Sequence, residues 1–319
     1  MVCWGVVVAS RSVAVRAPSS IANLGFFFDF AGMAVGHSYD VVRVRLVSEG
    51  DLRVEVRARG APGGQGNVAY HAAVAMLEDL GETIEVVVEV EKGVPVGYGL
   101  GSSGATAAAT VVALNELLGG VLSREELVVY AGAGEAYAAG APHYDNVAAS
   151  IMGGLSLVCS APRKPLVLKL EPPGDYLVAV FLPRRRLMSP ERKTEAMRKI
   201  LPSRVPLKRV VEAMRATASL LHYASSGEWA RAFQLMNNGW EVEEARGRLI
   251  PGYREAKEAA LREGALAFNI AGAGPGLFAV VREGEADRVV DAVAAVLEQK
   301  WGGVDARLVQ VDLDGAQVI

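Results

Sequence analysis

The chain has 319 residues, 51% of them hydrophobic and 22% charged, with a formal net charge of −3. That is apolar content enough for two domains or one large one, and a charge balance that excludes a chain drawn as a whole onto nucleic acid or an anionic membrane. Cys3 and Cys159 lie far apart and form no metal-ligand motif; a reducing compartment suits them, and a single disulfide stays open.

The apolar start, Met1 to Ala9, has no basic region before it and is short, so it reads as a β-strand rather than a secretory signal. Residues 6–16 and 40–58 alternate or run β-branched, as strands do, and Asp51–Arg57 keeps a clean period of two. Between them, residues 17–32 read as a Gly-punctuated loop in which Asn23 and Asp29 are the polar groups. Two accounts fit: an Asn turn with an Asp helix cap, or two contacts to a ligand. Gly60–Gly66 reads as a loop, Asn67 as the cap of a helix over Val68–Asp79 that Gly81 stops, and Thr83–Glu91 as a strand.

Pro95, Gly97, Gly99, Leu100, Gly101, Ser102, Ser103 and Gly104 then lead into an alanine-rich helix over 104–118. Alternate glycines let backbone N–H groups approach an anion, and the helix behind them directs its positive end at the same place. A serine hydroxyl adds a hydrogen bond or a magnesium contact. The chemistry is that of a phosphate site. The string lacks the Gly-Lys-Ser/Thr of a Walker loop and does not sit in a dinucleotide-binding βαβ unit. A side chain placed at Gly101 is expected to intrude on the phosphate.

Ser123 and Glu126 form a capping box that opens a helix over 124–139. Glu135 lies near its end, where a carboxylate facing the glycine loop would hold Mg²⁺. His143, Asp145 and Asn146 follow in what reads as a polar turn. The plainer alternative is a solvated glutamate beside that turn. A strand over 153–159 precedes a Pro-rich shift at 160–165, which places a domain boundary there. The second half reads as strands at 166–170, 176–182, 265–270, 276–282 and 306–312, with helices at 190–200, 207–224, 227–238, 252–263 and 284–299. This cadence implies α+β layers rather than regular βαβ units. Thr194 and Arg198 share a helix face, Arg246 precedes Leu249-Ile250-Pro251-Gly252-Tyr253, and Ala271–Pro275 is a Gly turn between strands. An arginine at position 246 could grip a carboxylate or phosphate in a fork, or simply stand solvated.

Taken together, these clusters resemble the homoserine kinases of the GHMP kinase superfamily over nearly the whole chain. The resemblance rests on Asn23 and Asp29 in the opening segment, on the glycine loop, and on Glu135 followed by His143, Asp145 and Asn146. Thr194, Arg198, Arg246 and Ala271–Pro275 continue it. It implies an α+β two-domain GHMP kinase fold: an N-terminal α/β domain over 1–160 with a left-handed βαβ unit, and a ferredoxin-like C-terminal domain over 161–319. It implies ATP-dependent phosphorylation of the side-chain hydroxyl of L-homoserine, a step of threonine biosynthesis, in the cytoplasm. By resemblance, Asn23, Asp29, His143, Asp145, Arg198 and Arg246 bind the amino acid. Asn146 and Thr194 flank the reacting hydroxyl, and no dedicated base is evident. Ser103 and Glu135 hold Mg²⁺, residues 95–104 cradle the phosphates and Asn67 touches adenine. No nucleic acid or membrane partner is implied, and a homodimer stays open. Phe27, Tyr144, Ala149 and Ala271 depart from the family pattern and bear on substrate fit. The alternatives are another GHMP kinase acting on shikimate, mevalonate or a sugar, and a non-catalytic ATP-binding protein of the same fold.

Overall fold

The structure is a computed structural model that describes residues 11–140, 142–160, 165–187, 196–197, 199–238 and 241–319. It opens with a long hairpin. β1 (Ser12–Leu24) and β2 (Phe27–Glu49) pair antiparallel and leave a turn of two residues. Residues 17–32, expected to be a loop, are therefore mostly strand. The pairing also satisfies polar side chains within the segment: buried Ser19 donates through Oγ to the Val35 carbonyl at 2.9 Å. β3 (Arg53–Arg59) and β4 (Ile84–Glu91) run parallel and are joined by α1 (Val68–Leu80). Asn67 caps α1 through its side chain and Gly81 ends it in the left-handed conformation, as the sequence indicates.

α2 (Ser102–Leu117) packs on β1 and β2 and is buried at every residue except Ser103 and Glu116. Its alanines let sheet and helices approach from all sides; a helix apolar all round belongs in a core. α3 (Arg124–Ala139) starts at the predicted Ser123–Glu126 capping box. α4 (Tyr144–Met152) occupies the segment read as a polar turn, because Val147, Ala148 and Ile151 bury one face and Gly153 stops the helix. β5 (Leu155–Ser160) pairs with β2, and β6 (Leu166–Leu170) pairs with β5.

Residues 166–170, beyond the boundary expected at 160, thus extend the first sheet. The Pro-rich segment lies between two strands of one sheet, so composition there marks a connection and not a domain linker. The second sheet, in the order β10-β7-β9-β8, starts at β7 (Tyr176–Pro183). We place the division at 171–175. β7 is followed by helices α5 (Leu207–Ser225), α6 (Trp229–Gln234), α7 (Glu241–Gly247) and α8 (Tyr253–Arg262). β8 (Ala267–Ile270), β9 (Leu277–Arg282), α9 (Ala286–Trp301) and β10 (Val304–Gln310) complete the unit. This antiparallel order and βαββαβ connectivity is ferredoxin-like. The predicted helix 190–200 falls largely outside the described residues.

After β10 the chain returns to the first sheet. Val311 bridges Val35, and β11 (Gln317–Val318) pairs with β1. The guanidinium of Arg124 donates to the carbonyls of Ile151, Asp314 and Ala316 at 2.7, 3.1 and 2.8 Å. Neither the return strand nor α7 was expected from the sequence. Among the described residues no helix is long and apolar enough to cross a membrane.

Candidate active site

A cavity of about 390 Å³ opens between the glycine loop, α1, the end of α3 and the Gly turn of the second domain. Gly97, Gly99 and Gly101 have φ of 89, 87 and 62°, a region open to glycine at little cost. Close packing fixes the loop as well. A Cβ at Gly99 would collide with the Ala271 carbonyl oxygen, and one at Gly101 with Ser20 Oγ and, at 2.8 Å, Asn146 Oδ1. Gly101 caps α2, so the first-turn N–H groups of Ser102, Ser103 and Gly104 have no partner within the helix. An anion in the cavity meets these donors and the positive end of a 16-residue helix.

Beneath the loop sits a buried ion pair that sequence reasoning did not find. Asp40, fully buried on β2, accepts the Gly93 and Val94 N–H groups at 3.0 and 2.9 Å through Oδ1. Its Oδ2 accepts the Thr106 hydroxyl at 2.6 Å and pairs with Lys92 Nζ. Lys92 also donates to the Ser102 carbonyl at 2.6 Å, so it binds the end of β4 to the first turn of α2. Burial pushes the Lys92 pKa down, opposed by the Asp40 carboxylate and more weakly by Glu135. Asp40 and Lys92 are 52 residues apart, and no spacing rule connects them.

Among the described residues, Asp29, His143, Asp145 and Arg246 lie close enough to act on one another electrostatically. Asn23 and Asp29 flank the hairpin turn with φ of 63 and 53°, which Asn and Asp tolerate better than most residues. The Asp29 N–H donates to Asn23 Oδ1 at 3.2 Å and closes the tip. Asp145, fully buried at the start of α4, has its pKa pushed up to about 7. Burial is the main cause and the nearby Asp29 carboxylate adds to it, while His143 opposes. Its Oδ2 has no hydrogen-bond partner among the described residues. Asp29 is likewise raised by desolvation, against the pull of His143 and Arg246. Arg246 on α7 is lowered by burial and held up by Asp29 and Asp145. Its Nη1 donates to the Gly272 carbonyl at 3.1 Å, its Nε has no partner among the described residues, and its guanidinium lies 5.4 Å from the centre of the Phe28 ring. The result is a patch in which buried Asp145 and Arg246 meet half-buried His143 and exposed Asp29, suited to a small zwitterion.

Glu135 is buried on α3. One carboxylate oxygen lies 3.4 Å from His143 Nδ1 and the other, Oε1, has no partner among the described residues. The hydrogen bond to Glu135 holds the His143 pKa above its ordinary value. Ser103 lines the same cavity and is half-buried. A hard cation needs such oxygen donors. Among the described residues no three His, Cys, Asp or Glu side chains form a closed metal cage, and Mg²⁺ commonly completes its shell with substrate phosphates instead.

Other expected residues take narrower roles. Ser102 Oγ donates to the Val94 carbonyl at 2.9 Å, so its main-chain N–H is what it offers the cavity. Leu100 is buried and its carbonyl accepts Ser20 N–H at 3.1 Å. Gly104 gives α2 room against Asn146, whose Cβ a new Cβ would meet at 3.3 Å. Pro95 is half-buried and does not line the cavity. Asn67 lines it, with Oδ1 on the Ala69 N–H and Nδ2 on the Pro62 carbonyl, which leaves one amide N–H. Thr194 and Arg198 lie outside the described residues. Among the departures, Phe27 turns into the core and Tyr144 packs where Gly132 leaves room; neither lines the cavity.

Residues 67–154 match the family of GHMP kinases N terminal domains and residues 209–299 that of GHMP kinases C terminal domains. A homoserine kinase of Aeropyrum pernix is 40% identical over 289 residues, 89% of this chain and 90% of the relative. One from Methanopyrus kandleri is 38% identical over 96% of this chain and 98% of the relative. A crystal structure of homoserine kinase from Cytophaga hutchinsonii superposes with a TM-score of 0.84 at 30% identity, covering 97% of each chain.

Proposed function

The chain belongs to the GHMP kinases, and from that premise we infer that it transfers the γ-phosphoryl group of ATP to the side-chain hydroxyl of L-homoserine. The observation that carries the substrate is the convergence of Asp29, His143, Asp145 and Arg246 beside the glycine loop. Asp29 and Asp145 suit an ammonium, and Arg246 suits a carboxylate. Mevalonate and shikimate carry no ammonium and would give Asp29 and Asp145 no cation of their own.

ATP enters the cavity with its phosphates on the first turn of α2 and its base toward Asn67 and Val68. Phosphoryl transfer asks mainly for positioning and for neutralising charge. The N–H groups of α2 and the loop supply fixed dipoles where charge develops. Asp145 and Arg246 hold the two ends of the amino acid and so aim its hydroxyl. Thr194 and Arg198 are assigned beside them by the family resemblance alone. Asn146 lines the cavity, which supports giving it the contact with the transferred group. Glu135 and Ser103 would hold Mg²⁺, which when bound spreads the negative charge of the phosphates.

The test is a coupled assay with ATP and L-homoserine, shikimate, mevalonate and galactose. L-homoserine is expected to give the highest kcat/KM. Higher turnover of any of the others would overturn the reading.

A further inference from the structure

Asn146 lines the cavity beside the glycine loop and bonds to Asp145 in the amino-acid patch, and something must decide which end of its amide faces the cavity. Asp145 Oδ1 stands 3.3 Å from Asn146 Nδ2 and also accepts the Asn146 main-chain N–H at 2.8 Å. A carboxylate oxygen calls for a donor, so the NH₂ end belongs on that side. The carbonyl end, Oδ1, receives a hydrogen bond from Ser20 Oγ at 3.0 Å. Ser20 is fully buried on β1, and its own N–H is fixed on the Leu100 carbonyl at 3.1 Å. Gly101 closes the space around both side chains: a Cβ there would strike Ser20 Oγ and come within 2.8 Å of Asn146 Oδ1.

We propose that Ser20 is a positioning residue for phosphoryl transfer: by occupying the carbonyl end of Asn146 it presents the amide NH₂ group to the transferred phosphoryl. The chain Ser20–Asn146–Asp145 joins the phosphate loop to the ammonium acceptor through one oriented amide. The role rests on the homoserine kinase reading, in which Asn146 meets the transferred group. Nδ2 carries two N–H groups; one serves Asp145 and the other remains for a phosphoryl oxygen. Without the Ser20 hydroxyl, Oδ1 loses its donor and the amide is free to rotate its oxygen toward a group that repels it. Ser20 itself does not line the cavity, so it acts through Asn146.

The experiment is a double-mutant cycle on kcat with Ser20→Ala, Asn146→Ala and the pair, measured with ATP and L-homoserine. Ser20→Ala is expected to lower kcat about tenfold, as for loss of one net hydrogen bond, with both KM values within about twofold of the parent. Asn146→Ala is expected to lower kcat further, and adding Ser20→Ala to it should change nothing. If Ser20→Ala does not yield folded protein, Ser20→Cys replaces it, with a smaller loss through its weaker S–H donor and the same lack of effect in the Asn146→Ala background. A multiplicative pair, or an unchanged kcat in the Ser20 variant, overturns the proposal while leaving the kinase reading intact. Unchanged kcat in Asn146→Ala removes the premise and the proposal together.

Discussion

His143 Nδ1 lies 3.4 Å from one oxygen of Glu135, and the other oxygen of that buried carboxylate has no partner among the described residues. A buried acceptor left open is costly unless something fills it, and a cation is what a carboxylate in that state asks for. Glu135→Gln is therefore expected to cut kcat by two orders of magnitude or more, on the order of 2.7 kcal/mol of transition-state stabilisation. Ser103→Ala should act in the same direction. Far-UV circular dichroism and Tm should stay near the parent's. Near-normal turnover of both variants at saturating Mg²⁺ would remove the cation assignment.

Arg246→Ala should weaken L-homoserine and spare ATP. Losing one partner of a charge-assisted hydrogen bond costs about 1.5–3 kcal/mol, roughly ten- to a hundredfold in kcat/KM. 4-Amino-1-butanol lacks the carboxylate and should lose little further in the variant. An equal penalty on both substrates would mean that Arg246 serves the fold and not the carboxylate.

The position of Asp145 predicts a pH dependence with a definite sign. Its carboxyl, pushed up to about 7, must be ionised to receive an ammonium. Above that pH, KM for L-homoserine should be flat. Below it, substrate must displace a proton, and KM should climb toward tenfold per unit. Asp145→Asn should flatten the profile and raise KM throughout. The same shift makes the substrate-free fold lose stability as pH rises from about 4 to 7, because the folded state keeps a proton that the unfolded chain has released. A KM that is constant from pH 5.5 to 8 would contradict the assignment.

Gly101→Ala tests the loop's packing rather than the space for phosphate. The sequence suggested that a side chain there would meet the phosphate; the structure turns its Cβ toward Ser20 and Asn146. With φ at 62° the substitution should cost about 1–2 kcal/mol of stability through the left-handed conformation alone. It should also lower kcat through the displaced Asn146. A thermal melt and steady-state kinetics on one preparation measure both effects.

Asp40→Ala should be the most destabilising of these substitutions. It leaves the buried Lys92 ammonium without its counter-charge and two loop N–H groups without their acceptor, and breaking a buried pair from one side typically costs about 3–5 kcal/mol. Urea denaturation reads the loss directly. Asp40→Asn keeps an acceptor for the Gly93 and Val94 N–H groups and should lose less.

The parts of the site that were legible in the sequence carry local chemistry. Asn67 and the Ser123–Glu126 box declare helix starts because a cap bonds within three residues. The glycine loop declares itself because φ above zero is read from composition. Asp40 and Lys92 stayed hidden because nothing local distinguishes a charged residue paired across a sheet from one facing water. The α4 segment was misread because Pro142, His143, Asp145 and Asn146 make a polar string whose buried side faces inward only once α2 and β2 are in place. The long hairpin was misread for the opposite reason. The Gly-punctuated segment 17–32 looks like a loop until a partner strand and a neighbouring helix take the hydroxyls of Ser19 and Ser20.

The return of residues 311–318 to the first sheet, locked by Arg124, makes the two halves unequal as genetic parts. A gene split at 171–175 would give a first fragment lacking its edge strand and a second trailing a strand with no sheet to join. Neither half is a cassette that recombination could move alone. The pair should instead reassemble when co-expressed, the tail acting as the thread that draws them together, and a second fragment ending at residue 310 should fail to complement.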